Sequence, residues 1–123
     1  MVTQVTSFGR SGLSDWIIQR VSAVILAAYT VFLAAWVICS PETTYAQWSE
    51  LFSCTAMRIF SLLALLSLIA HAWVGIWTIA TDYLTPMALG KCATKVRFLF
   101  LCASALVLFV YFIWGIDILW SVN

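Results

Sequence analysis

Three long runs of apolar residues dominate the chain and are separated by two short, more polar segments. The runs are roughly 16–38, 59–80 and 98–119. Each can cross a bilayer, which takes a helix of about 20 apolar residues. Lipid offers no partners for backbone N–H and C=O groups, so only helices and closed barrels cross it. The pattern therefore predicts an all-α membrane protein, with three transmembrane helices in one domain over residues 1–123.

The first polar segment contains a shorter periodic pattern. Tyr45, Trp48 and Phe52 recur at steps of three and four residues, as on one face of a helix. Ser40 suits an N-cap and Pro41 suits the first helical position. Two interpretations are open for this segment: a short helix on the outer membrane surface, or a polar loop with aromatic anchors.

Composition supports a membrane location. Apolar residues make up 64 % of the chain and charged residues 9 %, whereas soluble domains have roughly 45–50 % and about 25 %. The formal net charge of +1 gives no indication of nucleic-acid binding. The first apolar run is longer than the 7–15 residues typical of a signal-peptide core, so we expect it to be a retained helix.

The positions of lysine and arginine predict the orientation. Five of the six basic residues lie near the N-terminus or around the second loop: Arg10, Arg20, Lys91, Lys95 and Arg97. The first loop carries Glu42 and Glu50 but no basic residue. The positive-inside rule predicts an N-terminus on the inner, cytoplasmic side and a C-terminus on the outer side. For a bacterial inner membrane, which is the expected location, the outer side is the periplasm. Arg58, in the first turn of the second helix, is the exception, and we expect it to snorkel outward.

The single histidine, His71, lies in the middle of the second apolar run. An unpaired imidazole in hydrocarbon costs on the order of several kcal/mol, so an ionisable residue there indicates a functional site. One face of the predicted helix carries mostly small residues: Phe60, Ala64, Ser67, His71, Gly75, Thr78 and Asp82. The opposite face carries bulky residues suited to lipid: Leu62, Leu66, Ile69, Trp73 and Ile76. The small face leaves room for another helix or a flat ligand.

Three roles are open to His71 at this point. It can hydrogen-bond a neighbouring helix, take part in a proton relay, or ligate haem iron. A relay needs an acidic partner at similar depth, but all five carboxylates lie at or near the ends of the apolar runs. A haem with two histidine ligands needs a second chain, because this chain has one histidine.

Asp82 and Tyr83 lie at the predicted inner edge of the same helix, about 18 Å along its axis from His71. A phenol there can donate a hydrogen bond to the carbonyl of a lipid-soluble ligand, and the neighbouring carboxylate can orient it or supply a proton. The alternative is an ordinary interfacial tyrosine anchor.

Arg20 lies about one turn into the first run. It either snorkels to the inner surface or pairs with an anionic group such as a haem propionate. Ala23 and Ala27 share its face, so we expect that face to point into the bundle. The four cysteines form no CxxC pattern; Cys39 and Cys54 flank one loop, and their pairing is left open.

Two segments, WIIQRVSAVIL in the first helix and HAWVGIWTIATDYL in the second, resemble the small cytochrome b membrane-anchor subunits of succinate dehydrogenase, respiratory complex II. The resemblance covers essentially the whole chain. Its most specific element is a histidine with a glycine four residues after it and an Asp-Tyr pair that follows the histidine after ten intervening residues. Here these are His71, Gly75, Asp82 and Tyr83.

The resemblance implies that His71 is an axial ligand of haem b, with the other ligand from a second cytochrome b membrane subunit. It also implies that Tyr83 hydrogen-bonds ubiquinone beside Asp82, and that Arg20 lies near the haem propionates or the quinone pocket. A flavoprotein subunit, which oxidises succinate, and an iron–sulfur subunit are expected on the inner side. The alternatives are the anchor of a fumarate reductase, or a small transport or structural membrane subunit without haem.

Overall fold

Helices make up nearly all of residues 12–122, the part of the chain that the computed structural model describes. The helices are α1 (Gly12–Cys39), α2 (Tyr45–Ser53), α3 (Thr55–Tyr83), α4 (Pro86–Leu89) and α5 (Ala93–Ser121), with a 3₁₀ turn at Gly90–Cys92 before α5. That part of the chain contains no strand. Since α1, α3 and α5 are long and apolar enough to span a membrane, the predicted architecture is confirmed. Arg10, which supported the predicted orientation, lies outside the described residues.

The three long helices extend beyond the apolar runs at both ends. With 28 or 29 residues each, they are about 42–44 Å long at 1.5 Å per residue. The hydrocarbon core of a bilayer is about 30 Å thick. The sequence pattern identified only the apolar part of each helix, because polar residues at the ends interrupt the apolar run without ending the helix.

The helix α3 lies between α1 and α5 and packs against both. Small residues make the close contacts, as is usual between membrane helices; the buried ones on α3 include Ser61, Ala64 and Ser67. The Tyr29 hydroxyl of α1 lies 2.7 Å from Ser61 Oγ, and its ring meets Phe60 edge-on at 5.0 Å. The α1–α3 interface is therefore joined by polar and aromatic contacts.

The first loop contains a helix, α2, as one of the two interpretations predicted. Its start was placed wrongly: Thr44, and not Ser40, is the N-cap. Thr44 Oγ1 accepts a hydrogen bond from the Gln47 N–H (3.3 Å), and Gln47 Oε1 accepts one from the Thr44 N–H (3.1 Å), which is a capping box. The Trp48 ring contacts Trp36 of α1 and Phe52, so two of the three periodic aromatics take part in packing.

Arginines join α3 and α5 at both ends of the bundle. Arg58, near the start of α3, donates through Nη2 to the carbonyl oxygen of Val122, which follows α5. Arg97, near the start of α5, donates to the carbonyl oxygen of Leu84, which follows α3. That Arg58 snorkels outward stays a prediction; its guanidinium reaches the end of α5. All four cysteines are exposed free thiols, including Cys39 and Cys54.

Candidate functional site

His71 is hydrogen-bonded to the neighbouring helix α1. Its Nδ1 lies 3.1 Å from Ser22 Oγ, and the Ser22 hydroxyl donates to the Gln19 carbonyl oxygen at 3.2 Å. Both bonds form together when Nδ1–H of His71 donates to Ser22 Oγ, because a serine hydroxyl has only one proton to donate. The imidazole then carries its lone pair on Nε2, which has no hydrogen-bond partner within residues 12–122.

The imidazole lines an open groove of about 330 Å³ between α1 and α3. The lining combines polar and charged side chains with apolar ones: Asp15, Trp16, Gln19, Arg20, Ala23, His71, Val74 and Thr78. The structure thus brings together two of the residues singled out from the sequence, His71 and Arg20. It also places a carboxylate and an amide in the same groove.

Arg20 lies at the rim of the groove and is solvent-exposed. Its guanidinium carbon lies 5.4 Å from the centroid of the Trp16 ring, within the range of a cation–π contact. In the described part of the chain no carboxylate pairs with it. Of the two alanines on its face, Ala23 lines the same groove, whereas Ala27 is exposed. Only the N-terminal part of that face therefore borders α3.

The close contacts of α1 with α3 are made by the adjacent face of α1. It carries polar residues at steps of four, three and seven: Asp15, Gln19, Ser22 and Tyr29. Ser22 is the buried residue of α1, and Tyr29 bonds Ser61. Residues at these spacings share one side of a helix. Sequence reasoning missed this face, although the spacing of its polar residues in an otherwise apolar run was the signal that could have identified it.

Two buried acceptor atoms in the groove have no donor within residues 12–122. They are Asp15 Oδ1 and Gln19 Oε1, one helical turn apart on α1. An unsatisfied buried acceptor costs about 1–3 kcal/mol, and more for a charged group. This end of the groove therefore lacks donors that a partner chain or a ligand can supply.

The small face predicted for α3 is the one that contacts α1, at least along its first half. Ala64 and Ser67 are buried and His71 is half-buried, whereas Thr78 and Asp82 are exposed. A Cβ added to Gly75 would lie 3.9 Å from Gln19 Nε2, which is an ordinary contact. Packing between α1 and α3 therefore does not by itself require glycine there.

The opposite, bulky face of α3 also lies beside α5. Leu66, Ile69 and Trp73 form an apolar groove with residues of α5. The expectation that this whole face is suited to contact with lipid is therefore only partly right. Trp77, on the turn after Trp73, has a buried indole N–H with no acceptor among the described residues.

Asp82 and Tyr83 lie at the end of α3, outside the groove that contains His71. The Tyr83 side chain is 71 % exposed and has no hydrogen-bond partner within residues 12–122. The described residues contain no group of three or more metal-ligating side chains. The structure thus presents two separate candidate regions on α3, an imidazole at mid-helix and a phenol with a carboxylate at the helix end.

Comparison with known proteins gives a consistent match. Residues 3–112 match the model of the family described as succinate dehydrogenase/fumarate reductase transmembrane subunit. The chain is also 36 % identical, over 111 residues, to the succinate dehydrogenase hydrophobic membrane anchor subunit of Coxiella burnetii (strain RSA 493 / Nine Mile phase I). That match covers 90 % of each chain.

Proposed function

Because the chain belongs to the family of succinate dehydrogenase/fumarate reductase transmembrane subunits, we propose that it anchors a succinate dehydrogenase and helps to pass electrons from succinate to ubiquinone. As a membrane anchor subunit it is one chain of an oxidoreductase complex, and three of its helices are apolar enough to cross a membrane. In this proposal, succinate is oxidised on a flavoprotein subunit and electrons arrive through an iron–sulfur subunit on the inner side.

His71 is the proposed axial ligand of a haem b. The observation that carries this assignment is its hydrogen bond to Ser22 through Nδ1, because metal-bound histidines usually donate the second ring N–H to an oxygen acceptor. That bond leaves the Nε2 lone pair for iron. The chemistry that haem supplies when bound is one-electron transfer; the chain's own part is to hold the imidazole in one tautomer and orientation.

A second cytochrome b membrane subunit is the proposed partner at the groove. Two arguments support it. A haem with two histidine ligands needs one from another chain, since this chain has a single histidine. The unsatisfied acceptors Asp15 Oδ1 and Gln19 Oε1 call for donors, which the partner subunit can supply. Arg20 at the groove rim is the proposed contact for a haem propionate or for a group of the quinone pocket.

Tyr83 is the proposed hydrogen-bond donor to a ubiquinone carbonyl oxygen. Its hydroxyl is exposed and unpartnered among residues 12–122, which suits a ligand that enters from lipid at the membrane edge. Reduction of a quinone to a quinol takes up two protons. The neighbouring carboxylate, Asp82, is exposed and lies where protons can be passed on from the inner water phase.

The second candidate function is the anchor of a fumarate reductase working with menaquinol, since the family model covers both enzymes. The name of the Coxiella burnetii relative favours succinate dehydrogenase. The family match likewise favours an anchor over a small transporter. Turnover of the purified complex with succinate and ubiquinone, compared with fumarate and menaquinol, separates the two enzyme functions.

Replacing the proposed iron ligand tests the haem assignment. We expect His71→Leu to remove or shift the reduced-minus-oxidised haem b band, because leucine has no lone pair for iron. The flavoprotein and iron–sulfur subunits should still co-purify with the variant. An unchanged spectrum in a complex that contains the variant chain would show that His71 does not bind the haem.

The hydrogen bond to Ser22 makes a more specific prediction. Ser22→Ala removes the hydrogen-bond acceptor for Nδ1–H. The Nε2 nitrogen then gives its electron pair to iron less strongly, so the affinity for haem should fall about tenfold. The haem midpoint potential should rise, because a weaker donor stabilises ferric iron less. Redox titration of the haem band measures the potential. The matched control is Ser61→Ala, which removes a buried serine hydroxyl bonded to Tyr29; equal shifts in the two variants would contradict the role of Ser22.

Removing one hydroxyl tests the quinone assignment. Tyr83→Phe should lower ubiquinone reduction by about tenfold or more, since a hydrogen bond that positions a reacting group is lost. Succinate oxidation with an artificial dye acceptor should be retained. Equal losses of both activities would count against a quinone-specific role for Tyr83.

The proposed orientation can be tested with two exposed thiols at opposite ends of the bundle. Cys54 lies between α2 and α3, and Cys92 lies directly before α5. In intact cells a membrane-impermeant maleimide should label a variant that keeps only Cys54. A variant whose single remaining cysteine is Cys92 should be labelled only after the membrane has been opened. The reverse pattern would place the N-terminus outside.

A further inference from the structure

The C-terminal end of α3 has no basic residue of its own. The last turn of this helix contains no lysine or arginine, and Leu84, the C-cap, leaves helical geometry with φ −92° and ψ 61°. The last carbonyl groups of a helix have no intrahelical donors and form the negative end of its dipole. This end therefore favours a cation from elsewhere in the chain.

Arg97 of α5 provides that cation. Its Nε and Nη2 both donate to the Leu84 carbonyl oxygen, at 3.3 and 2.8 Å. The guanidinium is planar and rigid, so two donors directed at one oxygen fix its position more narrowly than a lysine ammonium does. The contact joins residues 13 positions apart and holds the end of α3 against α5.

Tyr83 directly precedes the residue that Arg97 holds. Its side chain is 71 % exposed, and no side chain within residues 12–122 bonds its hydroxyl. Little besides its own backbone therefore determines where the phenol lies. Beyond Leu84 the chain is also ordered, because the Thr85 hydroxyl accepts a hydrogen bond from the Ala88 N–H at 3.3 Å.

We infer that Arg97 is a positioning residue for the quinone site: it holds the end of α3 so that the Tyr83 hydroxyl meets a quinone carbonyl. The inference rests on the quinone role of Tyr83 proposed above. Arg97 acts through the Leu84 carbonyl and not by touching the quinone. A displacement of a positioned group by about 1 Å can cost a hundredfold in rate.

The test compares variants of two neighbouring cations in the assembled complex. Arg97→Gln removes the clamp and one positive charge. Lys95→Gln removes one positive charge at the same end of the bundle, from an exposed side chain without a hydrogen bond among the described residues. The measurements are kcat and KM for a short-chain ubiquinone, succinate oxidation with a dye acceptor, and the amplitude of the haem b band.

We expect Arg97→Gln to raise the KM for the quinone about tenfold, because a positioned hydrogen bond is weakened in the bound state. Dye reduction and the haem band should not change, and Lys95→Gln should behave as the unmodified complex. The KM of Arg97→Lys should lie between those of Arg97→Gln and the unmodified complex. Lysine keeps the positive charge but cannot donate two hydrogen bonds in the fixed geometry of a guanidinium. Equal KM shifts in Arg97→Gln and Lys95→Gln would overturn the inference, because the effect would then be one of charge alone.

A double variant separates this inference from the proposed function. In the Tyr83→Phe background, Arg97→Gln should add nothing, because its effect passes through the lost hydroxyl. If Tyr83→Phe alone leaves quinone reduction unchanged, the proposed quinone role fails. If Tyr83→Phe impairs it and Arg97→Gln does not, only the positioning role fails. Should Arg97→Gln not assemble, an unchanged KM in Arg97→Lys would overturn the inference.

Discussion

The hydrogen bond between Ser22 and His71 is the interaction on which the account depends. It crosses from α1 to α3 in a region where hydrocarbon offers an imidazole no other partner. When the Ser22 hydroxyl donates to the Gln19 carbonyl, Nδ1–H of His71 is the donor to Ser22 and the Nε2 lone pair stays available. A single contact thus joins two helices and, in the proposed function, also orients the nitrogen that binds iron.

The same requirement for polar partners shapes the ends of the bundle. Helix ends leave carbonyl groups without donors, and the connections beside α3 and α5 are short. Arg58 and Arg97 meet this need reciprocally, each reaching from the start of one helix to the end of the other. The α3–α5 pair is therefore held at both ends by charged hydrogen bonds, while small side chains allow the close packing of α1 on α3. Such a frame keeps mid-helix His71 and end-of-helix Tyr83 on one rigid element.

The sequence predicted the three spanning helices and the two candidate regions of α3, because both follow from hydropathy and from residues that are costly in lipid. It did not predict which face of α1 meets α3. Arg20 and its alanine neighbours were chosen for charge and small size, whereas the contact is made by Ser22 and Tyr29. Nor did it identify the partners of Arg58 and Arg97, since those are carbonyl groups of remote residues. Every residue has a backbone carbonyl, so such a partner cannot be recognised from residue types.

The most direct test of the central claim is the absorption spectrum of the intact purified complex, recorded as isolated and again after chemical reduction. If His71 binds iron opposite a ligand from a partner subunit, the complex as isolated has a Soret band. After chemical reduction its spectrum shows the bands of a low-spin b-type haem. A complex that contains all its subunits and has no Soret band would contradict the claim, and His71 would then serve only to join α1 and α3.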